Sequence, residues 1–449
     1  MVSFNQGSEY EMMGSATEQD DASAIEREKE MKETEKPGVG MQMRIDMGVN
    51  LEQSHTPEFP ALGPILVIGG CGYKFSFPLV LLQNKSNKTS FLGSNLVHTL
   101  LRDPESGPIT VISRTPHHNQ HEGASYFTGD ILSEVRMREL LFKIQPRIIF
   151  HCGSAPPEAP LKEQNTTNVR GTQILLKCAS RLPFVRALIY TSSHEAVEIE
   201  PRNQQLTEAS CKLHTEKSDA TPHQRSKGIA DALVLAANGE SLKTACLRFP
   251  PIYGEGDPSV IPELLGMMRQ GKQNMQIGPD RQVFEHVYVG NAVLGLVLCG
   301  KALLASAQYS NLANVDGEGR GMGSGVAGQA FFITDGQPVS YYTFARRIWY
   351  IAGDRTEKQD IRLVSFWLVI VTAWMNEVFY FVFSAGQKRP RVGTYDVKEL
   401  SRGVSWSIEK ARVRLGYVPS GMEDGLRRGV EGAIYEEEMR RLIAAGGGS

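Results

Sequence analysis

From Pro64 onward, short apolar runs bounded by turn residues alternate with segments of helical spacing. The runs are ILVIGG, ITVIS, RIIFHCG, ALIYTSS and TACLRF, and each is continuously apolar rather than alternating. Strands of that kind, separated by helices, predict a parallel sheet buried on both faces. The segment NTTNVRGTQILLKCASRL carries its apolar residues at helical spacing, as a crossover helix must. The fold class expected is therefore α/β, a doubly wound parallel sheet. After about Pro250 the pattern is mixed: VIPELLGMMRQGK and YYTFARRIWYIAG read as helices and QAFFITDG as a strand. DGEGRGMGSGVAGQ reads as a surface loop.

Two segments stand apart from this pattern. Residues 1–60 are polar, rich in methionine and locally acidic, as in SAIEREKEMKETEK. They offer too little apolar surface to offset ordering entropy, which predicts a disordered tail. Residues 364–383, within VSFWLVIVTAWMNEVFYFVF, are almost wholly apolar, interrupted by Asn376 and Glu377. Two expectations fit that length: a helix buried in the core, or contact with a membrane. If the contact is with lipid, the Asn-Glu pair favours lying on the surface over spanning it.

Composition narrows the possibilities. With 41% hydrophobic and 22% charged residues, the chain of 449 residues is globular in character. A formal net charge of -2 provides no field to gather nucleic acid, so no nucleic-acid partner is expected. The six cysteines show no C-x-x-C pair and the ten histidines no H-E-x-x-H, so no metal site is expected and a reducing compartment is. No charged start followed by an apolar run marks a secretory signal.

The first strand leads into Gly69, Gly70, Cys71 and Gly72. A glycine-rich turn between strand and helix lets backbone amides approach a pyrophosphate, the signature of a Rossmann dinucleotide site. The third glycine of the fingerprint is due at position 75, where Phe75 stands. Joining Gly72 to Phe91 restores it: GGCGFLGSNLV places Gly93 where the fingerprint requires and opens a helical run. The 18 residues 73–90 are thus expected to be a retained intron of the gene model, with a genuine loop insertion as the alternative. At the end of the second strand, Ser113 and Arg114 occupy the place where an acidic residue holds the ribose of NAD. Arg114 suits a 2′-phosphate, so the expected cofactor is NADP or NAD, with NADP favoured.

Further stretches follow in order: Gly129-Asp130-Ile131, His151 to Ala155, Asn168-Val169-Arg170-Gly171-Thr172, Tyr190-Thr191-Ser192-Ser193, LRFPPIYGEGD, FEHVYVGNAV, the apolar segment before KRPR, and SIEKARVRLGYVP. In that order and spacing the chain, from about Pro64 to Tyr435, resembles the 3β-hydroxysteroid dehydrogenase family of extended short-chain dehydrogenases. The resemblance implies a Rossmann domain over 61–249 and a smaller C-terminal substrate-binding region over 250–449. It implies a dinucleotide held by Gly69, Gly70, Gly72, Gly93, Arg114, Asp130 and Lys227, and a lipophilic, sterol- or terpenoid-like substrate. For location and assembly the expectations are the cytoplasm, at the endoplasmic reticulum membrane through 364–383, and a homodimer.

Family chemistry implies a Ser/Tyr/Lys set in which the tyrosine exchanges the proton while hydride passes to or from the nicotinamide. Here the serine matches Ser193 and the lysine Lys227, but the tyrosine position is His223. No tyrosine lies between Tyr190 and Tyr253 to take its part. Three readings stay open: His223 as a working acid/base, a different reaction on the same fold, or a binding homologue. Two smaller departures are Gly290 before Asn291, where an acid is usual, and Asp231 in place of glutamate.

Overall fold

The computed structural model describes residues 61–69, 91–116, 120–199, 205–309, 325–384, 393, 394, 397, 401 and 403–446. The sequence expectations for 1–60, for Gly70 and Gly72 and for 73–90 lie outside them. Seven parallel strands make the main sheet: β1 (Gly63–Ile68), β2 (Ser106–Ser113), β3 (Ser125–Thr128), β4 (Ile148–His151), β5 (Ala187–Ser193), β6 (Lys243–Phe249) and β7 (Gln329–Phe332). Their order is β7-β6-β5-β4-β1-β2-β3. The order reverses at β1, with β2 on one side and β4 on the other, so a crevice opens there at the carboxyl ends of the strands.

Why the runs are continuously apolar is visible in β1. Ile65 and Val67 enter the core on one face of the sheet, while Leu66 and Ile68 enter the core on the other. All four are 3% exposed or less, and burying each such side chain contributes roughly 1.5–3 kcal/mol. The connecting helices include α1 (Phe91–Leu100), α2 (Glu134–Ile144), α3 (Gly171–Ala179) and α4 (Pro222–Ala236). The start of α4 is written in T-P-H-Q. Thr221 accepts the Gln224 amide, Gln224 accepts the Thr221 amide, and Pro222 sits at the first helical position, where its missing N–H costs nothing. Asp231 of α4 locks the helix to β6 by accepting two hydrogen bonds from the Arg248 guanidinium, at 3.0 and 3.1 Å. Its carboxylate also accepts the Ser192 hydroxyl at 2.7 Å.

The C-terminal half supplies more of the core than its mixed pattern suggests. β7 joins the sheet beside β6, and α5 (Val260–Arg269), α6 (Val289–Tyr309) and α7 (Tyr341–Ile351) line one face of it. The stretch Val289–Gln308 is long and apolar enough to cross a membrane, yet 67% of it is buried inside the protein. The other apolar helix, α8 (Phe366–Ser384), behaves in the opposite way. Only Ala373 among its described side chains is buried, and the core-helix expectation for 364–383 does not hold. Partly covered residues recur at 366, 369, 370, 377 and 380, one stripe at helical spacing, and the remaining face presents Trp367, Leu368, Trp374, Met375, Phe381 and Phe383. Glu377 lies on the covered stripe, where its carboxylate accepts the backbone N–H and hydroxyl of Thr394. Two further helices, α9 (Glu409–Leu415) and α10 (Met422–Gly446), follow.

Candidate active site

The floor of the crevice is built by two glycines. Gly69 ends β1 with φ +83°, a conformation that favours glycine. A Cβ on it would sit 2.2 Å from the Gly153 Cα, so the ends of β1 and β4 approach closer than any side chain allows. Around that floor the crevice is lined by Ser113, Arg114, Asp130, Ile131 and Ser154. Arg114 is exposed, and the Asp130 carboxylate accepts the Leu132 amide at 2.9 Å. A glycine-floored groove at the switch point, with a guanidinium at the end of β2, fits the adenosine half of a dinucleotide. Gly93 is buried in α1.

A second cluster stands where β5 ends. Ser193 is half-buried, and its hydroxyl accepts the Glu195 amide at 3.1 Å in the short 3-10 turn His194–Ala196 that follows. His223 and Lys227, four residues apart and therefore on one face of α4, are both buried. Lys227 donates to the Thr191 carbonyl at 3.1 Å, with its ammonium 4.9 Å from the Tyr190 ring centre. Burial pushes Lys227 down to about 8, against the pull of Asp231. Burial likewise pushes the His223 imidazole down to about 4, with Glu195 opposing and Lys227 and His194 assisting. Neither flanking tyrosine can stand in for the missing phenol. Tyr190 is fully buried in β5, and the Tyr253 hydroxyl donates to Asp335 at 2.7 Å.

Sequence reasoning missed the polar support of this cluster. Gln164, Asn168 and Thr172 recur every fourth residue and are all 1% exposed or less. A buried polar stripe at helical spacing was the available signal. Asn168 lies in a π-helical stretch, Asn165–Arg170, of the kind often found at functional sites. Its amide accepts the Ala155 N–H at 2.7 Å and donates to Ser226 at 2.9 Å, tying the end of β4 to α4. The two smaller departures also acquire reasons. Asp231 carries the buried pair with Arg248. A side chain at Gly290 would meet the Tyr288 ring at 2.4 Å, which explains why no acid stands there.

Sheet order, crevice and the Ser193/His223/Lys227 cluster define a Rossmann-fold protein of the short-chain dehydrogenase type. Residues 88–363 match the model of the 3-beta hydroxysteroid dehydrogenase/isomerase family, and the chain belongs to that family. It is an oxidoreductase of that type, and the fold implies a nicotinamide dinucleotide. The decarboxylating sterol-4-alpha-carboxylate 3-dehydrogenase of Gibberella zeae is 31% identical over 297 residues, covering 66% of this chain and 93% of that protein. The enzyme of the same name from Candida albicans is 26% identical, over 82% of this chain and 96% of its own. Among solved structures, an epimerase of Methanothermobacter thermautotrophicus superposes with a TM-score of 0.59 at 18% identity, over 86% and 96% of the two chains. A UDP-glucuronic acid 4-epimerase of Bacillus cereus, solved with NAD, gives 0.55 at 17%, over 82% and 97%. At such identities the two structures speak for the fold alone.

Proposed function

We propose that this protein oxidises or reduces a hydroxyl or ketone of a sterol- or terpenoid-like lipophilic substrate, with NADP as the favoured dinucleotide. The observation that carries the reading is the gathering of Ser193, His223 and Lys227 at the end of β5, beside a glycine-floored crevice. A nicotinamide dinucleotide in that crevice supplies the hydride acceptor or donor. The chain's own residues handle the proton and the positions: Ser193 hydrogen-bonds the substrate oxygen, His223 exchanges its proton, and Lys227 holds the nicotinamide ribose. Gly69, Gly70, Gly72 and Gly93 take the pyrophosphate, Asp130 the adenosine side, and Arg114 the 2′-phosphate. The turn at Pro250 and Pro251 would lie near the nicotinamide. The non-redox alternative is not favoured, since the curated relatives are named as dehydrogenases.

The aromatic face of α8 supports delivery of the substrate from a membrane surface at the endoplasmic reticulum. Aromatic and aliphatic side chains on one face, with Glu377 engaged on the other, suit a helix lying in the interface better than one crossing it. Residues 73–90 are a retained intron in this reading. Support comes from the start of the family match at residue 88, although β1 lies upstream. The division into a tail over 1–60, a dinucleotide domain over 61–249 and a substrate region over 250–449 belongs to the same reading, as does a homodimer. The test is nicotinamide absorbance at 340 nm with a 3β-hydroxysterol and NAD or NADP. Turnover lost in Ser193→Ala and Lys227→Ala is expected; turnover undiminished in both refutes the assignment.

A further inference from the structure

His223 stands between two hydrogen-bond acceptors, and one of them is fixed. Gln164 Nε2 faces the carbonyls of Pro156 and Pro157, which only accept, so that end of the amide is the NH2. Its Oε1 accepts from Asn168 Nδ2 at 2.8 Å, while the single Ser226 proton goes to the His223 carbonyl at 2.9 Å in preference to this oxygen at 3.2 Å. Turning the amide over would set two NH2 groups against each other and leave both proline carbonyls facing an oxygen. The fixed Oε1 lies 3.4 Å from His223 Nδ1. On the other side of the ring, Nε2 lies 3.6 Å from Glu195 Oε2. A neutral imidazole carries one N–H, and a proton on Nδ1 supplies the second donor to the fixed Gln164 oxygen. Nε2 is then a lone pair on the Glu195 side. The His223 side chain is 8% exposed and that of Glu195 39%, so the carboxylate links a buried ring to water.

We propose that Gln164 holds His223 as the Nδ1–H tautomer, making Nε2 the proton-accepting atom, and that Glu195 is a positioning residue that passes this proton between Nε2 and solvent. The proposal rests on the redox reading above. When a carbinol is oxidised, its C–H leaves as hydride to the oxidised nicotinamide and its O–H proton goes to Nε2 as the C=O forms. The Nε2 proton then moves to the Glu195 carboxylate and on to water. The charges facing the ring are Glu195 and His194 from the turn after β5 and Lys227 from the next turn of α4. Glu195 alone favours the imidazolium, which is what a relay requires.

The test is ring-nitrogen NMR on the full-length protein with isotope-labelled histidine, the His223 signals assigned by His223→Asn. The wild type is expected to show a protonated Nδ1 and a pyridine-like Nε2. Glu195→Gln, isosteric and half-exposed, should keep that tautomer and lower the His223 pKa by at least about half a unit. A wild-type Nε2–H tautomer overturns the proposal, as does a titration unmoved in Glu195→Gln. Either result in a protein that still transfers hydride removes the relay and leaves the redox reading standing.

Discussion

Replacing both Trp367 and Trp374 with serine tests the membrane-facing role of α8. The two indoles lie seven residues apart on one face and are 75% and 58% exposed. With roughly 200 Å² per side chain, exposed in those fractions, and ~25 cal/mol per Å², moving both wholly out of water is worth about 7 kcal/mol. A helix lying in the headgroup boundary immerses its face only partly, so a little under half of that, ~3 kcal/mol, is the expected loss. That corresponds to an approximately hundredfold weaker partition into lipid. Because both rings project from the protein, the fold should be untouched and the melting temperature nearly unchanged. Co-flotation with phosphatidylcholine liposomes measures the partition directly. Equal flotation of wild type and double variant, or no flotation of either, refutes the reasoning.

Other consequences follow from the core and the cluster. Asp231→Ala leaves the Arg248 guanidinium, 3% exposed, buried without its counter-charge. It should cost about 3–5 kcal/mol in denaturant unfolding, whereas a cost near zero would contradict the pairing. His223→Tyr restores the phenol of the family pattern and should raise hydride transfer at least about tenfold, roughly 1.4 kcal/mol of barrier; unchanged turnover with bound cofactor counts against the proton role given to this position. Burial holds His151 and His286 neutral at about 3 and His223 at about 4, all below the ordinary 6.5. A depressed folded-state value stabilises the protein above pH 6.5, and that stability drains away as pH falls from 6.5 through 4 toward 3. Unfolding midpoints should therefore drop over this window, less steeply in His286→Phe, which keeps a ring stacked on Phe344 at 3.8 Å; identical slopes would remove His286 from the account.

The sheet was legible because strands buried on both faces leave continuous apolar runs, as Ile65 to Ile68 do. The long core helix α6 was not legible beside the strand-like FEHVYV that precedes it. Its apolar residues surround the helix instead of forming a stripe, as in a helix buried on nearly all sides. The apolar segment of α8 had two readings because length and hydropathy are the same for a core helix and an interfacial one. In the structure the burial stripe through Ala373 and the partner that Thr394 provides for Glu377 separate the two faces. Ser193, His223 and Lys227 were expected from the family resemblance, and in the structure they lie around the end of β5 and the adjoining face of α4. Gln164 and Glu195 were not found, because they meet His223 across 59 and 28 residues of chain, and no local pattern encodes that contact.

The central claim, a nicotinamide dinucleotide held at the switch point by the glycines and Arg114, is tested most directly by titrating NADPH and NADH into the protein and following nicotinamide fluorescence. The full chain and the chain without 73–90 are compared, each with its Arg114→Ala variant. Saturable binding by the shortened chain, tighter for NADPH than for NADH and losing that preference in Arg114→Ala, is the predicted result. Binding of neither dinucleotide by either form contradicts the account.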